Sequence, residues 1–324
     1  MLVERTRFPR EKVCGDCLNP MALPVLDALG LSQRLLSLPH ARLREVEFIG
    51  CWGRRVAVPL PSNGPAEIAI RRSHLDELLL NRAAELGTEV RQETAVTRIE
   101  RRGDGWELTT GYGSITCRWL VAADGRNSTV ARLLGMLPNA RKDRVGLQTH
   151  LPLPSDLQGR VRMQFVRQGY TGIADIGDDT ANLCLVARPQ DLDAIRAWAL
   201  TRYNLTDSQE WRSTTPLARD PIAPVHDRLL LIGDVARVVE PFTGEGIAYA
   251  LLTAAAAGKA LVAEQTAQYE MAHREIYAGR LWVNHLARFA CLHPHSASAL
   301  IQLARFHPGV LSFLTRKVVG EVER

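Results

Sequence analysis

The sequence lacks the features that define membrane-spanning, secreted and nucleic-acid-binding proteins. Its 324 residues contain no apolar run long enough to cross a bilayer, because the most apolar predicted helix, 247–263, is interrupted by Lys259. The amino terminus has no apolar core followed by a small-residue cleavage site, so we expect no signal peptide. The 40 Lys and Arg residues are scattered, and a net charge of +5 without a basic block predicts no nucleic-acid partner.

Cysteine is also scarce. Six cysteines are too few and too dispersed for a disulfide framework, so we expect a cytoplasmic protein. Cys14 and Cys17 form a C-x-x-C motif, which leaves a redox pair and half of a zinc site both open. Cys291, His293 and His295 alternate in a proline-containing loop without a fourth ligand, and we predict no metal site.

The most informative segment is 229–257, LLLIGDVARVVEPFTGEGIAYALLTAAAA. Its first four residues are all apolar, which predicts a parallel strand covered on both faces, and Asp234 follows at the carboxyl end of that strand. After a loop with Pro241, the run 243–246 opens a helix whose free N–H groups can face a pyrophosphate or an electron-rich ring carbonyl. We interpret this segment as a cofactor-binding turn.

A second segment repeats the pattern. The apolar run 119–122 predicts another buried strand, Asp124 and Gly125 follow it, and Ser128 is placed to cap the next helix. Since ligands bind at the carboxyl ends of strands in open α/β sheets, we expect Asp124 and Asp234 to lie at one edge of a sheet.

The first residues resemble the end of a third such strand, because an apolar run stops at Glu4. In dinucleotide-binding units an acid at this place binds the adenosine ribose, with a G-x-G-x-x-G loop roughly 20 residues before it. The sequence contains no G-x-G-x-x-G. The dinucleotide-binding unit is therefore either incomplete or absent, and we expect an incomplete Rossmann-like sheet in an amino-terminally truncated sequence.

The remaining segments predict a mixed α/β fold. Short alternating runs within 43–71 and 144–187 predict three and four strands, joined into one antiparallel, substrate-side sheet. A helix is predicted at 73–86, and the tail shows a helical apolar stripe. The predicted domains are a discontinuous cofactor domain (1–42, 72–140 and 225–264), an antiparallel substrate domain (43–71 and 141–224) and a C-terminal helical region (265–324). The apolar stripe of the tail leaves peripheral membrane contact open.

Taken in order, these segments make the chain resemble the FAD-dependent oxidoreductases and monooxygenases of the p-hydroxybenzoate hydroxylase fold, and within them the geranylgeranyl-reductase-like branch. The resemblance is carried by the segment from Glu4 through the Cys14 loop, by VAADGRNSTVARLLG, and by the segment 229–257. It covers nearly the whole chain.

The resemblance implies FAD as the cofactor and assigns roles to particular residues. Glu4 would bind the adenosine ribose, Asp124 and Gly125 the pyrophosphate side, and Asp234 the ribityl chain. Arg72 would begin a helix beside the cofactor, and Val96 would lie near adenine. Cys14 would lie in a loop that reaches the flavin, and it is the candidate for proximity to the reaction. At the flavin ring the implied residues are Pro241, Gly244, Glu245, Gly246 and Ile247.

The implied activity is a flavin-dependent oxidoreductase in which NAD(P)H or another donor reduces FAD. The reduced flavin either delivers hydride to an alkene of an isoprenoid-like substrate or supports oxygenation of another hydrophobic organic molecule. The alternative is a catalytically inactive remnant that binds a lipid-like ligand or a partner. The sequence leaves the substrate and the oligomeric state open.

Overall fold

The computed structural model describes residues 1–61, 67–138, 140–141, 143–304 and 309–319. Within these ranges the chain forms twenty strands and ten α-helices. The strands are β1 (Leu2–Val3), β2 (Cys17–Leu18), β3 (Ala41–Arg42), β4 (Glu45–Ile49), β5 (Arg55–Pro59), β6 (Ile68–Ala69), β7 (Val90–Arg91), β8 (Val96–Arg102), β9 (Gly105–Thr110), β10 (Gly113–Cys117), β11 (Leu120–Ala122), β12 (Ala140–Arg141), β13 (Val145–Pro152), β14 (Arg160–Val166), β15 (Gly169–Asp175), β16 (Thr180–Ala187), β17 (Arg212–Thr214), β18 (Ala218–Arg219), β19 (Val225–His226) and β20 (Leu229–Leu231). The helices are α1 (Leu23–Ala28), α2 (Ser32–Ser37), α3 (Arg72–Glu85), α4 (Thr129–Leu133), α5 (Leu192–Arg202), α6 (Gly246–Val262), α7 (Thr266–Tyr277), α8 (Leu281–Leu292), α9 (Pro294–Leu303) and α10 (Gly309–Val319).

The largest sheet has seven strands in the order β17-β13-β16-β15-β14-β4-β5. Side chains alternate along its strands, so that each face carries its own apolar cluster. On one face, Leu183 and its neighbours pack against Ile195 of α5. On the other, Val161, Met163 and Phe165 belong to a cluster that also includes residues of the C-terminal helices. This second face is one wall of the site described below.

The prediction of one antiparallel sheet from 43–71 and 144–187 was wrong in two respects. The strands β14 and β4 pair in parallel. Of the last strand predicted within 43–71, only Ile68–Ala69 forms a strand among the described residues, and this strand, β6, pairs with β2 and β3 instead of joining the large sheet. The physical reason is that both faces of β6 are buried: Ile68 packs against the helices α1 and α3, and Ala69 packs in the cluster on the other side. Since β6 lies in 43–71 and β2 lies in 1–42, this pairing crosses the predicted domain division, which stays a prediction.

Two short parallel pairs bring three acids to the ends of strands. β1 pairs in parallel with β7, and β11 pairs in parallel with β20. Glu4 follows β1, Asp124 lies two residues beyond β11, and Asp234 lies three residues beyond β20. Among the described strands, β1 pairs with β7 alone and β11 with β20 alone. These strand ends therefore lie where α/β sheets bind their ligands.

The helix α6 packs closely on the strand β20 because its contacting side chains are small. Ala257 and Ala260 are buried in one cluster with Leu230 of β20. The hydroxyl of Thr253 accepts a hydrogen bond from the Gly233 N–H at 2.9 Å, which fixes the helix to the turn after β20. A Cβ on Gly233 would lie 3.1 Å from Ala250, and the residue has φ +55°, so glycine suits this turn.

Two further elements differ from the predictions in detail. The strand predicted at 89–99 is two strands, β7 and β8, which pair in different sheets. The helix predicted at 73–86 is α3, which begins one residue earlier, at Arg72. Pro308 in the sequence also predicts a break in the C-terminal helices, and this position lies outside the described residues. No helix in the described ranges combines the length and apolarity needed to cross a membrane. The predicted mixed α/β fold with a C-terminal helical region is confirmed.

Candidate functional site

A single cavity of about 1250 Å³ brings the predicted site residues together. Its volume exceeds the roughly 300–1,000 Å³ of most small-molecule pockets, so it has room for a dinucleotide cofactor together with a substrate. The lining includes Cys14 and every predicted cofactor residue except Glu245: Glu4, Arg72, Val96, Asp124, Gly125, Asp234, Pro241, Gly244, Gly246 and Ile247. The lining combines charged side chains with a larger set of apolar ones.

The start of α6 presents free backbone N–H groups to the cavity. A helix begins with N–H groups that have no partner within the helix, and no side chain caps those of α6. Gly244 has φ +70°, and a Cβ built on Gly246 would meet no atom within 4 Å. A flat ring can therefore approach this backbone closely, and the helix dipole would favour negative charge on that ring.

Both carboxylate oxygens of Asp124 accept hydrogen bonds from groups at the start of α4. Its Oδ1 accepts from the Ser128 hydroxyl at 2.6 Å, and its Oδ2 accepts the N–H groups of Thr129 and Val130 at 2.6 and 3.1 Å. Ser128 in turn caps the helix, as the sequence predicts. Asp124 thus fixes the turn that holds Gly125, whose φ of +82° favours glycine. A Cβ on Gly125 would lie 3.2 Å from the Nζ of Lys12.

Basic side chains surround the predicted phosphate region. Arg10, Lys12, Arg72 and Arg126 all line the cavity. Arg126 lies 3.5 Å from the carboxylate of Asp234. Burial lowers the pKa of Lys12; the neighbouring Arg72 adds to this effect, and Asp234 opposes it. An anionic diphosphate would give this buried cation a partner of opposite charge.

Two of these cations are also held by acids. Arg10 contacts Glu4 at 3.4 Å, and Glu4 accepts from the N–H and the hydroxyl of Thr6 at 3.0 and 2.8 Å. Arg72 donates two hydrogen bonds to Asp76, one turn later in α3. Of the basic lining residues, sequence reasoning identified Arg72 and missed Arg10, Lys12 and Arg126, since single scattered cations carry no pattern.

Glu245 does not face the cavity. Its side chain is 1% exposed and accepts hydrogen bonds from Tyr249 at 3.0 Å, Arg280 at 3.1 Å and Asn284 at 3.2 Å. Glu245 therefore links the first turn of α6 to Asn284 of α8 and to Arg280, which immediately precedes α8. A buried carboxylate needs such donors, because an unpaired charge in the interior is costly.

The loop that holds Cys14 lines the same cavity. The Cys14 carbonyl accepts from the Asn182 side chain at 2.7 Å, which fixes the loop to the large sheet. Cys17 lies beside the turn before α6, since its Cβ is 3.7 Å from the position of a Cβ on Gly244. Burial raises the pKa of Cys17 well above that of a free thiol, which disfavours the thiolate that redox chemistry needs. Both Cys14 and Cys17 are free thiols.

Aromatic rings form the apolar wall. Phe242, one residue after Pro241, lies 5.2 Å from Tyr170, 5.5 Å from Phe165 and 6.4 Å from Phe48, measured between ring centroids. The C-terminal helices close the opposite side with aliphatic residues: Val283, Leu286, Ala287, Ala290, Ala297, Leu300, Ile301, Leu311, Leu314, Val318 and Val319. Sequence reasoning missed this wall, because its rings come from distant segments.

The described residues contain no group of three or more His, Cys, Asp and Glu side chains that could hold a metal ion. Cys291 lies buried in the apolar cluster between the large sheet and the C-terminal helices.

The comparisons with known proteins agree with this geometry. Residues 1–153 match the model of the FAD binding domain family. A flavoprotein/dehydrogenase from Cytophaga hutchinsonii has the same fold, with a TM-score of 0.83 over 99% of this chain and 86% of that one at 18% identity. A flavin-dependent brominase superposes with a TM-score of 0.78 over 98% and 86% of the two chains, at 21% identity.

The resemblance to the FAD-dependent oxidoreductases and monooxygenases of the p-hydroxybenzoate hydroxylase fold is confirmed, because residues 1–153 match a FAD binding domain and the whole chain shares its fold with flavin-dependent proteins. A menaquinone reductase from Mycolicibacterium smegmatis is 27% identical to this chain, over 84% of it and 72% of that protein. A digeranylgeranylglycerophospholipid reductase from Methanothermobacter thermautotrophicus is 25% identical, over 71% and 63% of the two chains.

Proposed function

We propose that the chain reduces carbon–carbon double bonds in an isoprenoid-like substrate, with NAD(P)H as the electron donor for its FAD. The observation that carries this proposal is the continuity of the cavity. The cations, the start of α6 and the aromatic and aliphatic residues all line this one cavity. A long hydrocarbon chain can thus lie against a flavin ring held at α6. Two similar proteins are named as reductases of menaquinone and of digeranylgeranylglycerophospholipid, which supports the same substrate class.

The residues present fit FAD. Gly244 and Gly246 leave room for the ring, while Arg10, Lys12 and Arg126 would neutralise the diphosphate. Bound FAD would supply the capacity to accept and pass on a hydride. The chain itself would orient the ring through Pro241 and the α6 backbone, and its aromatic wall would exclude water from the substrate.

The test begins with purified protein of this sequence and added FAD. NADH and NADPH are each mixed with it without oxygen, and bleaching of the flavin absorbance is followed. Menaquinone and a digeranylgeranyl lipid are then supplied to the reduced protein, and the products are analysed by mass spectrometry. A gain of two hydrogen atoms per double bond is expected. A gain of one oxygen atom in the presence of air indicates a monooxygenase instead, and binding of the lipid without any change in mass indicates a catalytically inactive binding protein.

We further propose that α8–α10 contact a membrane surface that carries anionic lipids, from which such a substrate enters. Residues 281–319 contain no Asp or Glu, but their sequence contains Arg288, Arg305, Arg316 and Lys317. Large apolar side chains are exposed along these helices: Trp282, Leu286, Phe289, Leu300, Leu303, Val310 and Phe313. Leu286 and Leu300 also line the cavity, so the exposed apolar surface and the cavity are continuous. This combination of apolar surface with positive charge is typical of interfacial helices.

A further inference from the structure

Glu67 places a carboxyl group on the apolar side of the cavity. It precedes β6, where Ile68 packs on the helices α1 and α3 and Ala69 packs in the opposite cluster with Tyr170. Because side chains alternate along a strand, Glu67 faces the same side as Ala69. It lines the cavity, and it is only partly buried by surface area because part of its surface is open to that cavity.

The Glu67 carboxyl has no partner among the described residues. Its backbone carbonyl accepts from the Leu43 N–H, but no hydrogen bond or ion pair involves its side chain. Burial raises the pKa of this carboxyl to about 7, and no cation of the cavity offsets that effect. The titratable or charged residues on the strands that pair with β6 are Cys17 on β2 and the exposed Arg42 on β3. A carboxyl this poorly solvated is protonated in a substantial fraction of molecules near neutral pH.

Glu67 is also close to the predicted position of the flavin ring. Two residues after it, Ala69 pairs with Cys17 across the β6–β2 ladder. Cys17 in turn lies beside Gly244, at the turn before α6. The carboxyl therefore lies on the substrate side of the turn that would hold the ring, in the same cavity as the aromatic wall.

We propose that Glu67 is the catalytic acid that protonates the substrate during double-bond reduction, an inference that rests on the proposed function. Reduction of an alkene adds a hydride to one carbon and a proton to the other. The hydride comes from the reduced FAD, which is thereby reoxidised. The Glu67 Oε–H bond breaks, its proton forms the second C–H bond, and the resulting carboxylate takes a proton from water that enters through the cavity. An acid whose pKa is near the working pH is efficient in this role.

The test compares Glu67→Gln and Glu67→Asp with the unaltered protein, and uses Glu89→Gln, an exposed carboxylate outside the cavity, as the matched control. FAD binding and flavin reduction by NAD(P)H are expected to stay within about twofold in every variant, since neither step needs this proton. Lipid reduction by the pre-reduced protein is expected to fall by roughly 10²–10⁴-fold in Glu67→Gln and to recover partly in Glu67→Asp. The rate in the unaltered protein is expected to fall as the pH rises above about 7, and Glu67→Gln is expected to lose this dependence.

Infrared spectroscopy gives a readout that does not depend on activity. The C=O stretch of a protonated carboxyl should disappear with a midpoint near pH 7 in the unaltered protein and should be missing in Glu67→Gln. Wild-type lipid reduction and an unchanged pH profile in Glu67→Gln would overturn the role of Glu67 while leaving the proposed function in place. Failure of the unaltered, flavin-reduced protein to reduce either lipid would overturn the proposed function, and the assigned role of Glu67 with it.

Discussion

Arg144 and Glu240 form a two-pronged ion pair in the interior of the protein. The Nη1 and Nη2 atoms of Arg144 donate to the two carboxylate oxygens of Glu240 at 2.9 and 2.8 Å, and the side chains are only 2% and 3% exposed. Arg144 precedes β13 of the large sheet, and Glu240 precedes the Pro241 turn. The Glu240 N–H also donates to Asn284 of α8 at 2.9 Å. The pair therefore fixes the large sheet, the Pro241 turn and the C-terminal helices to one another.

Removal of one member of this pair should destabilise the protein strongly. Arg144→Met leaves Glu240 charged and buried, and we expect the free energy of unfolding to fall by about 3–5 kcal/mol. The double variant Arg144→Met/Glu240→Leu removes both charges and should regain most of that loss. The measurement is urea unfolding followed by circular dichroism. Arg98→Met, which breaks the exposed Arg98–Glu100 pair, is the control and should cost about 1 kcal/mol or less. Equal effects of Arg144→Met and Arg98→Met would contradict this account.

The start of α6 offers a test of flavin binding that leaves the fold intact. A Cβ on Gly246 meets no atom within 4 Å, and neither does a Cβ on Gly258 farther along the same helix. Replacement of either glycine by alanine should stabilise α6 by up to about 1 kcal/mol. Only Gly246→Ala places a methyl group in the cavity, so it alone should weaken FAD binding, by roughly tenfold or more. The measurement is a flavin fluorescence titration, and unchanged affinity in Gly246→Ala would mean that the ring binds elsewhere.

Lys12 tests the phosphate end of the same cavity. A hydrogen bond to a charged group contributes about 1.5–3 kcal/mol, so Lys12→Met should raise the dissociation constant of FAD by roughly 10–100-fold. The affinity for riboflavin, which has no phosphate, should stay unchanged. Lys259→Met, at an exposed position of α6, is the matched control. An equal loss of affinity for riboflavin and FAD would show that Lys12 does not act on the phosphates.

The strand ends of the site could be predicted from the sequence because their signal is local. An apolar run followed by an acid and a glycine defines both a buried strand and its carboxyl end, and Asp124 and Asp234 accordingly line one cavity. Gly244 and Gly246 could be predicted for the same reason, because a glycine-rich helix start can be recognised in the sequence without knowledge of the neighbouring elements.

Other features depend on which elements meet, and the sequence does not encode that locally. Glu245 lies between two cavity-lining residues in the chain, yet its side chain turns away because Arg280 and Asn284 of α8 supply its donors. Glu67 was assigned to an ordinary strand, and its position in the cavity follows only from the pairing of β6 with β2 and β3. The predicted antiparallel sheet failed at β6 for the same reason.

His273 should make stability depend on pH. It is 5% exposed between Tyr269 and Tyr277, and burial, together with the nearby Arg237, lowers its pKa to about 4. The unfolded chain, with an ordinary histidine pKa near 6.5, binds the proton first as the pH falls. The contribution of neutral His273 is thus fully present above pH 6.5 and is lost toward pH 4, by a total on the order of 3 kcal/mol.

The comparison of His273→Phe with the unaltered protein isolates this contribution, because other titrating groups such as Glu67 cancel in the difference. Urea unfolding at several pH values should show the two proteins converging between pH 6.5 and 4. Parallel curves over that range would contradict the assignment.

The surface of α8–α10 should bind vesicles through its apolar side chains as well as its charge. Trp282, Phe289 and Phe313 are each about half exposed and do not line the cavity, so their replacement by serine should leave FAD binding unchanged. Sedimentation with vesicles of phosphatidylcholine and phosphatidylglycerol should recover the unaltered protein. The triple variant should bind at least roughly tenfold more weakly, because each buried large apolar side chain contributes about 1.5–3 kcal/mol at most.

The control replaces Leu86 and Tyr112, two exposed apolar residues outside these helices, by serine and should bind like the unaltered protein. Binding that is lost in salt but unaffected by the triple variant would indicate charge attraction alone and would refute insertion of the apolar side chains.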